Sequence, residues 1–478
     1  MAPLVVGFDL DMTLIDTRPG IAAVWDALAA ETGVFIDSRD AVSRLGPPLD
    51  EELQRWFPPE QVTAMGDRFR ALYPGLAVLP TTAFEGARAA IDAVHRLGGQ
   101  VVVVTGKYEP NARLHLDHLG LEADALHGWL WGPAKAEALL KHGATIYVGD
   151  HLGDIAGARA AHALSVAVPT GPISADELRA AGADVVLDDL RAFPAWLDEH
   201  VLEQRLADLD AQLARLGKLT VAFSGGADSA FLLASAVRVL GPANVVAATA
   251  VSGSLPGTEL EAARAFAADL GVTHVTPATH ELDRPGYAEN AGDRCYFCKA
   301  ELLEVVLPIA ARYGHAHVAT GTNADDAVAG FRPGIAAAAE RGAVTPLLDA
   351  GLTKGQVRTA SRRRGLPTWD KPAAACLSSR IAYGINITPA RLARVERAEA
   401  ALRDALSTAG IPVRDLRVRD LGDTARIEVD HDAVATVSAA GDVLDAVRTA
   451  GFDAVEVDPR GFRSGALNEL LAEPERFR

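Results

Sequence analysis

The amino-acid sequence predicts an α/β fold with two parallel sheets, followed by a small α+β unit at the C-terminus. Short apolar runs alternate with amphipathic stretches, which is typical of parallel sheets whose strands are buried on both faces. This pattern of apolar runs and amphipathic stretches occurs twice, and the two occurrences meet near residue 200. After about residue 385 the order of predicted helices and strands is different. A chain of 478 residues agrees with about three domains.

The predicted strands of the two sheets are Leu4–Phe8, Val101–Thr105, Thr145–Val148, Leu219–Phe223, Val245–Val251 and His317–Thr320. Leucines at helical spacing predict a helix from Leu197 to Arg215, near the first boundary. Near residue 388, Thr388 precedes a helix with Pro389 at its first position. The predicted strands that follow are Leu416–Val418, Ala425–Val429 and Ala454–Val457. The predicted domains are therefore residues 1–198, 199–385 and 386–478.

The composition narrows the classes of function. Forty-six basic and 63 acidic residues give a formal net charge of −17, which argues against binding nucleic acid or anionic lipid by bulk attraction. No apolar run approaches the ~20 residues of a membrane helix, and the N-terminal segment lacks the basic region of a signal peptide. The three cysteines exclude a disulfide framework and suit a reducing compartment. We therefore expect a soluble cytoplasmic protein without membrane or nucleic-acid partners.

A first set of polar residues follows the predicted strands of the first domain. Asp9 and Asp11 are two residues apart at the end of a strand, so their side chains point the same way. The carboxyl ends of parallel strands are where open α/β sheets bind ligands. Mg²⁺ favours carboxylate oxygens and phosphate, and a lysine with a hydroxyl can take the remaining phosphoryl oxygens. The residues that complete this predicted phosphoryl-transfer site are Thr105, Lys135, Asp150 and Asp154.

Taken in order, DxDxT, a threonine at a strand end, a lysine and GDxxxD resemble the motifs of haloacid dehalogenase-like (HAD-like) hydrolases, over roughly residues 3–195. The resemblance implies a three-layer, Rossmann-like domain whose helical cap, at about residues 16–83, chooses the substrate. It implies that Asp9 is the nucleophile forming an aspartyl-phosphate and that Asp11 is the general acid and base. The implied phosphoryl-oxygen ligands are Thr105 and Lys135, and the implied Mg²⁺ ligands are Asp9, Asp11, Asp150 and Asp154. Met12 departs from the family, which usually has glycine there; it tightens the loop but removes no reactive group.

A glycine-rich loop opens the second domain. The segment Ser224-Gly225-Gly226-Ala227-Asp228-Ser229 lies between a predicted strand and a predicted helix, Ala230–Val239. Small residues let backbone N–H groups face an anion, and the helix N-terminus adds its dipole. The loop lacks GxxxxGK[ST], so we do not expect kinase-like transfer of a γ-phosphate. SGGxDS resembles the pyrophosphate loop (PP-loop) of N-type ATP pyrophosphatases, which transfer AMP to a substrate oxygen. The implied ATP-binding residues are Ser224, Gly225, Gly226, Asp228 and Ser229, with Asn323 and Asp325 nearby.

The three cysteines form a third candidate site. Cys295 and Cys298 make a CxxC motif, and Cys376 lies further along the chain. A CxxC pair can be redox-active, bind zinc or hold an iron–sulfur cluster. A zinc site would need a fourth ligand, and no histidine is obviously placed for it. Three thiolates would leave one iron of a [4Fe–4S] cluster open for an extra sulfide. The alternative is a zinc or redox pair, with Cys376 as a buried apolar residue.

The longer context favours sulfur chemistry. Five segments follow in order: RCYFCK at 294–299, GTNADD at 321–326, FRPG at 331–334, WDKP at 369–372 and ACLSSR at 375–380. With them, residues 200–478 resemble the LarE-like sulfur transferases of nickel-pincer nucleotide cofactor biosynthesis. The resemblance implies that ATP adenylates a carboxylate of a pyridinium-3,5-biscarboxylate-type mononucleotide, which then receives sulfur as a thiocarboxylate. The sulfur would come from sacrifice of Cys376 or through a [4Fe–4S] cluster on Cys295, Cys298 and Cys376, and the three-cysteine pattern favours the cluster.

The expected function is therefore an ATP-dependent, adenylating sulfur transferase fused to a Mg²⁺-dependent phosphatase. We expect a small nucleotide-like substrate and, by resemblance, a homo-oligomer. The candidate substrate contacts are Arg380, Arg417, Arg419 and Glu428; for Arg417, Arg419 and Glu428 the alternative is a solvated strand face or surface pairs. One alternative function is a phosphatase whose PP-loop half only senses nucleotide. The other is an adenylating amidotransferase or tRNA thiolase, and the net charge disfavours tRNA.

Overall fold

A computed structural model describes residues 3–328, 333–372 and 376–463 of the chain. The chain divides into two compact units, Met1–Val201 and Leu202–Arg478, and each has its own hydrophobic core. Phe331 and Arg332 of the predicted FRPG segment, and Ala375 of the last segment, lie outside the described residues. Among the described helices, none combines the length and the apolar character needed to cross a bilayer.

The first unit consists of a parallel sheet, flanking helices and a helical insertion. Its strands are β1 (Val5–Phe8), β2 (Ile15–Asp16), β3 (Thr82–Ala83), β4 (Gln100–Val104), β5 (Ala125–His127), β6 (Ile146–Gly149), β7 (Leu164–Ala167) and β8 (Val185–Val186). Its helices are α1 (Arg18–Thr32), α2 (Ser38–Val42), α3 (Leu49–Leu53), α4 (Pro59–Leu76), α5 (Ala87–Arg96), α6 (Glu109–Leu119), α7 (Lys135–His142), α8 (Leu152–Ala160) and α9 (Ala175–Ala180).

The main sheet has the strand order β5-β4-β1-β6-β7-β8, and every neighbouring pair is parallel. Its central strands are almost entirely valine, isoleucine and phenylalanine because helices cover both faces. Strands β2 and β3 pair antiparallel at the two ends of the inserted helices α1 to α4. The insertion has its own core, built around Trp25, Leu28 and Phe69. The predicted site residues Asp9 and Asp150 lie in the loops that follow β1 and β6, the two central strands.

Helix α10 (Phe193–Leu216) begins in the first unit and ends in the second. Phe193, Leu197 and Val201 belong to the core of the first unit, whereas Leu209 and Leu213 belong to the core of the second. The predicted boundary at residue 198 falls inside this helix.

The strands of the second unit are β9 (Leu219–Ala222), β10 (Val245–Ala248), β11 (Thr273–Val275), β12 (His317–Thr320), β13 (Leu416–Asp420), β14 (Thr424–Val429) and β15 (Ala454–Val457). Its remaining helices are α11 (Ala227–Leu240), α12 (Gly257–Asp269), α13 (Pro285–Ala288), α14 (Arg294–Arg312), α15 (Ala324–Val328), α16 (Pro333–Glu340), α17 (Pro346–Asp349), α18 (Lys354–Arg363), α19 (Pro389–Thr408), α20 (Val434–Ala439) and α21 (Gly441–Arg448).

Two sheets organise the second unit within its described residues. Strands β11-β10-β9-β12 form a parallel sheet, and β13-β14-β15 form a smaller mixed sheet in which β14 pairs antiparallel with β13 and parallel with β15. The bounds of β12 and β15 agree with the prediction. Strand β10 ends three residues earlier than predicted, because beyond it Val251 makes only an isolated bridge. The predicted α/β fold with parallel sheets is confirmed.

Candidate active sites

Three buried carboxylates meet at the carboxyl end of the first sheet. Asp9 follows β1, Asp150 follows the neighbouring strand β6, and Asp154 lies in the first turn of α8. One ligand oxygen of each lies within 4.8 Å of those of the other two. We call Asp9, Asp150 and Asp154 the carboxylate triad. Its hard oxygen donors suit Mg²⁺, so these residues fit the metal that a HAD-like fold implies.

Lys135, the first residue of α7, joins two members of the carboxylate triad. Its Nζ donates to Asp9 Oδ1 at 2.8 Å and to Asp154 Oδ1 at 2.6 Å. The third member, Asp150, accepts a hydrogen bond from the Thr13 hydroxyl at 2.8 Å. A Cβ at Gly149 would lie 2.3 Å from Asp154 Cγ, so only glycine lets the turn after β6 approach that carboxylate. The predicted lysine and three of the four predicted metal ligands are thus brought together.

Burial shapes the electrostatics of the carboxylate triad. Burial raises the pKa of Asp9 to about 7, although the Lys135 ammonium opposes the shift. Burial, together with the charges of Asp154 and Asp9, also raises the pKa of Asp150 well above its ordinary value. Crowded carboxylates disfavour one another's ionisation, and a divalent cation would offset this repulsion.

Asp11 lies outside the carboxylate triad and has different partners. Its Oδ1 accepts from the Thr17 hydroxyl at 2.7 Å and pairs with Lys107 Nζ at 2.8 Å. Burial alone would raise the pKa of Asp11, but Lys107 and Thr17 outweigh it and lower the pKa. These partners favour the carboxylate form of Asp11, which can accept a proton from water. The structure does not place the Asp11 side chain together with the other three predicted metal ligands.

The sequence prediction missed Lys107 and its partner Tyr73. Lys107 Nζ donates to the Tyr73 hydroxyl at 2.6 Å, and that hydroxyl lies 2.9 Å from His115 Nε2. Lys107 lies two residues after Thr105, which was predicted, so its position in the sequence could have identified it as a site residue. Tyr73 lies on α4 of the helical insertion and carried no such signal. Thr105 itself is buried directly after β4, and its hydroxyl accepts from the Lys107 N–H at 3.2 Å.

Met12 keeps the backbone conformation that a glycine would supply. Its φ is +59°, in the left-handed region, and its N–H donates to the Ile15 carbonyl at 2.8 Å. For a residue with a side chain, this conformation costs roughly 1–2 kcal/mol. The departure from the family therefore adds strain, while the turn that carries Asp9 and Asp11 is retained.

The glycine-rich loop of the second unit connects β9 to α11. Gly225 has a φ of +73°, and Gly226 directly precedes the helix. The Ser224 and Ser229 hydroxyls lie 3.1 Å apart and close the loop. Gly321, after the adjacent strand β12, packs against this turn so closely that a Cβ would lie 2.8 Å from the Ser229 nitrogen. The backbone at the helix N-terminus is thus held in the arrangement that suits an anion.

Lys354 links the predicted ATP-binding residues. Its Nζ pairs with Asp228 at 2.5 Å, and its backbone N–H donates to Asp325 Oδ2 at 2.8 Å. Burial raises the pKa of Asp228, and Lys354 opposes the shift. Asn323 is buried and accepts from the Asp325 N–H at 3.0 Å. The prediction missed Lys354, which opens α18 with no motif around it.

Lys371 is a further cation at the loop. Its Nζ donates to the Gly225 carbonyl at 3.1 Å and pairs with Glu259 at 2.6 Å. Lys371 belongs to the WDKP segment, so a sequence motif could have identified it. None of the predicted site residues comes from that segment.

The cysteines lie close enough to affect one another. Burial raises the pKa of Cys298 above its ordinary value, and the neighbouring Cys376, Glu281 and Cys295 raise it further. A cavity of about 170 Å³ is lined by Cys298, Cys376 and Ser224 of the glycine-rich loop. The predicted phosphate loop and two of the predicted cysteines therefore open onto one space.

Tyr287 fixes the turn that follows Cys376. Its hydroxyl lies 2.7 Å from Ser254 Oγ and 2.6 Å from Ser378 Oγ, and all three groups are buried. Arg380, two residues further, donates to the Cys376 carbonyl at 3.1 Å and to Glu399 at 2.9 Å. Neither Tyr287 nor Ser254 belongs to a motif, so this network could not be predicted from the sequence.

Three arginines gather beside the small mixed sheet. Arg417 and Arg419 share one face of β13 because they are two residues apart, and Glu428 lies opposite Arg417 in the ladder. Arg419 pairs with Glu428 at 2.7 Å, and both side chains are buried. Burial lowers the pKa of Arg417 to about 10, and the nearby charges of Arg380 and Arg419 contribute. The alternative of a solvated strand face is therefore wrong for these residues, whereas their contact with a substrate stays a prediction.

Comparison with protein families and known proteins agrees with the two-unit organisation. The model of the haloacid dehalogenase-like hydrolases matches residues 6–159, and a second, HAD-hydrolase-like model matches residues 126–193. A phosphoglycolate phosphatase of Rhodospirillum rubrum is 29% identical over 221 residues, which cover 41% of this chain and 91% of that protein. The N-terminal unit is therefore a HAD-like hydrolase domain.

Two relatives match more than half of the chain. A Synechocystis protein, slr1717, is 40% identical over 276 residues, covering 57% of this chain and all of the relative. The pyridinium-3,5-bisthiocarboxylic acid mononucleotide synthase of Lactiplantibacillus plantarum is 34% identical over 275 residues, covering 57% of this chain and 97% of the synthase. A match of that length exceeds the first unit and must extend into the second. The chain thus belongs to the family of this mononucleotide synthase and carries, in addition, an N-terminal HAD-like hydrolase domain.

Proposed function

We propose that the second unit is an ATP-dependent sulfur transferase that adenylates a carboxylate of a pyridinium-type mononucleotide and converts it to a thiocarboxylate. The observation that carries this proposal is the shared cavity. Ser224 of the glycine-rich loop, Cys298 and Cys376 line the same space of about 170 Å³. Adenylation and sulfur delivery both require reacting groups within a few ångströms, so a common cavity supports a single reaction sequence.

The glycine-rich loop supplies the phosphate-binding part. Gly225 and Gly226 leave the backbone uncovered at the N-terminus of α11, where N–H groups and the helix dipole favour an anion. Lys354 and Lys371 add two cations beside the loop. Asp228 and Asp325, both contacted by Lys354, offer oxygens to a Mg²⁺ ion that accompanies ATP. The pyrophosphate leaving group would thus be stabilised mainly by backbone and lysine donors.

The cysteines supply the sulfur-delivering part. Cys298 and Cys376 line one cavity, and Cys295 belongs to the same CxxC motif as Cys298. With no fourth protein ligand among the predicted residues, the three thiols form a donor set that suits a [4Fe–4S] cluster. Cys295, Cys298 and Cys376 would hold it, and when bound it would supply an iron that can carry an extra sulfide. Ligation needs thiolates, so the raised pKa of Cys298 predicts that cluster assembly releases protons.

The arginines beside β13 supply a place for the substrate phosphate. Arg380 and Arg419 each pair with a buried glutamate, at Glu399 and Glu428. Arg417 adds a third cation to this group and is itself destabilised by the two others. A phosphate dianion would relieve that repulsion. Neighbouring Arg380 contacts the Cys376 carbonyl, so this phosphate site adjoins the sulfur site.

The proposal is tested with the full-length protein purified without oxygen and reconstituted with iron and sulfide. We expect pyrophosphate release that depends on ATP and pyridinium-3,5-biscarboxylate mononucleotide, and a thiocarboxylate product in the mass spectrum. Cys376→Ser is expected to abolish thiocarboxylate formation while pyrophosphate release continues. Asp228→Asn is expected to abolish both, whereas Asp9→Asn, in the hydrolase unit, is expected to change neither.

Each alternative has a distinct result. Absence of iron and sulfide after anaerobic reconstitution would refute the cluster, and a mass loss equal to hydrogen sulfide at Cys376 would assign sacrifice of that residue. An amide product with ammonia as acceptor would assign an amidotransferase. Tight tRNA binding at physiological salt would contradict a small-molecule acceptor. Nucleotide binding without any pyrophosphate release would leave the hydrolase as the main activity.

A further inference from the structure

The hydrolase unit contains a cavity far larger than a phosphate group requires. Its volume is about 390 Å³, and it extends from Asp9 and Asp11 to the insertion residues Trp25 and Phe69. Pockets of this size are typical of ligands with tens of atoms. A two-carbon phosphoester would leave most of the space to water.

The rim of this cavity carries a set of aromatic residues that are only partly covered. Tyr108, Trp129 and Trp131 all line it, and Trp129 leaves 63% of its surface exposed. The Tyr108 and Trp129 rings lie 5.4 Å apart between centroids. We call Tyr108 and Trp129 the aromatic shelf. Exposed aromatic faces beside a reactive centre are the groups on which a planar ring stacks.

The backbone holds the aromatic shelf in a fixed place relative to the reactive groups. Trp129 has a φ of +60°, an unusual conformation for a bulky residue, and such conformations cluster at functional sites. Its N–H donates to the Lys107 carbonyl at 2.9 Å, and the next N–H, of Leu130, donates to the Thr105 carbonyl at 3.0 Å. The backbone that carries the indole is therefore hydrogen-bonded directly to the turn that carries Thr105 and Lys107.

The cations of the cavity are already neutralised by neighbouring carboxylates. Lys107 pairs with Asp11, Arg44 with Glu52, and Arg70 with Asp67. A small phosphorylated acid would need a cation for its own carboxylate, and these three are engaged. Away from the phosphate position, the cavity is therefore better matched to an aromatic ring than to a second anionic group.

We propose that the hydrolase unit acts on phosphomonoesters of the mononucleotide class, with the ring on the aromatic shelf and the phosphate at Asp9. This inference rests on the phosphohydrolase function of the unit and names its substrate class. Asp9 would attack phosphorus, the bond to the sugar oxygen would break, and that oxygen would take a proton from a water molecule, leaving hydroxide. A second water would then attack the aspartyl-phosphate and give a proton to Asp11, which the hydroxide would take up in turn, releasing phosphate and a nucleoside and restoring both carboxylates. Two sources supply this class: the AMP that the second unit would release, and a pyridinium mononucleotide.

The test compares four phosphoesters with the full-length protein and Mg²⁺: AMP, nicotinamide mononucleotide, ribose 5-phosphate and phosphoglycolate. We expect kcat/KM to be about tenfold or more higher for the ring-bearing esters than for ribose 5-phosphate, as expected for one stacked ring. A preference for AMP would assign the adenylation product as the source, and a preference for nicotinamide mononucleotide would assign a pyridinium mononucleotide. Equal kcat/KM for AMP and ribose 5-phosphate, or a preference for phosphoglycolate, would overturn the proposal.

Variants separate stacking from chemistry. Trp129→Gly removes the ring and suits the left-handed backbone, so we expect it to reduce the preference for AMP over ribose 5-phosphate by about tenfold, mainly through KM. Trp129→Phe should restore most of the preference. Phe35→Ala is the matched control, since Phe35 is 83% exposed on the same unit and does not line the cavity; the preference should not change.

Binding provides a readout independent of turnover. With the Asp9→Asn variant, we expect calorimetric titration to give tighter binding of AMP than of ribose 5-phosphate, and Trp129→Gly in the same background to remove the difference. Ring-independent binding would overturn the proposal. If none of the four esters is hydrolysed but ring-dependent binding persists, the phosphohydrolase function fails while the recognised class stands.

Discussion

Neutralising Glu428 tests the buried charge pair beside β13. Glu428→Gln keeps the shape of the side chain but removes the negative charge that faces Arg419, whose side chain is only 3% exposed. An arginine cannot release its proton to escape burial, so the cation remains without its partner. Removing one member of such a pair costs about 3–5 kcal/mol. The amide oxygen can still accept a hydrogen bond, which places the expected loss near the lower limit, at about 3 kcal/mol.

The loss should appear in both global and local stability. For a unit of this size, about 3 kcal/mol corresponds to a decrease in Tm of about 6–12 °C. Hydrogen exchange followed by mass spectrometry should show faster exchange in peptides that contain β13 and β14. Phosphate should stabilise the variant more than the unaltered protein, because the three arginines then have one carboxylate fewer beside them.

A matched pair on the same sheet provides the control. Arg426 and Glu456 pair across β14 and β15 at 2.6 Å, but their side chains are 32% and 49% exposed. Exposed pairs contribute about 0–1 kcal/mol, so Glu456→Gln should change Tm little. Equal shifts for the two variants would refute the reasoning that burial decides the magnitude.

Three further predictions concern other parts of the molecule. His115 is buried, and burial together with Lys107 lowers its pKa from 6.5 to about 4. Between these two pH values the unfolded chain therefore binds a proton that the folded chain does not. The free energy of unfolding, measured with urea, should rise by up to about 3 kcal/mol as the pH increases from about 4 to 6.5, and His115→Gln should lose that dependence. Gly321→Ala should weaken ATP-dependent pyrophosphate release and lower Tm, since its Cβ would lie 2.8 Å from the Ser229 nitrogen. Removing Mg²⁺ with a chelator should abolish phosphate release, because the carboxylate triad would then repel a phosphate.

Each of these has an outcome that contradicts it. An unchanged pH dependence in His115→Gln would assign the slope to other groups; Asp11 and His118 are the other charges that act on this histidine. Gly441→Ala is the control for Gly321, since nothing lies within 4 Å of its added Cβ, and an equal loss of pyrophosphate release would contradict the packing argument. Full phosphate release after exhaustive chelation would contradict a metal at the carboxylate triad.

Much of the fold could be predicted because buried parallel strands carry a strong local signal. The valine run that forms β4 and the apolar run of β12 are recognisable without any knowledge of their neighbours. Residues that follow such strands were also predictable, since the sheet brings its strand ends together. Asp9 and Asp150 come from adjacent strands, and their approach follows from that pairing.

The residues that escaped prediction reach the sites from elsewhere. Tyr73 reaches Lys107 from the helical insertion, and Tyr287 reaches Ser378 from a position 91 residues away along the chain. Neither belongs to a strand end or a motif, so only the packing of helices places them. The role of Asp11 as a metal ligand stays a prediction; its carboxylate pairs with Lys107, which reaches it from the turn after β4.

The carboxylate triad and Lys135 together have a charge balance that selects the metal. When metal binding keeps all three carboxylates ionised, they and the ammonium leave two negative charges in a buried space, and the adjoining Asp11–Lys107 pair contributes none. A divalent ion cancels that remainder, whereas a monovalent ion leaves a net negative site and a trivalent ion a net positive one. With a divalent ion in place, the incoming phosphoester meets a locally neutral surface. A dianion could then reach Asp9, the carboxylate proposed as nucleophile, without crossing an electrostatic barrier.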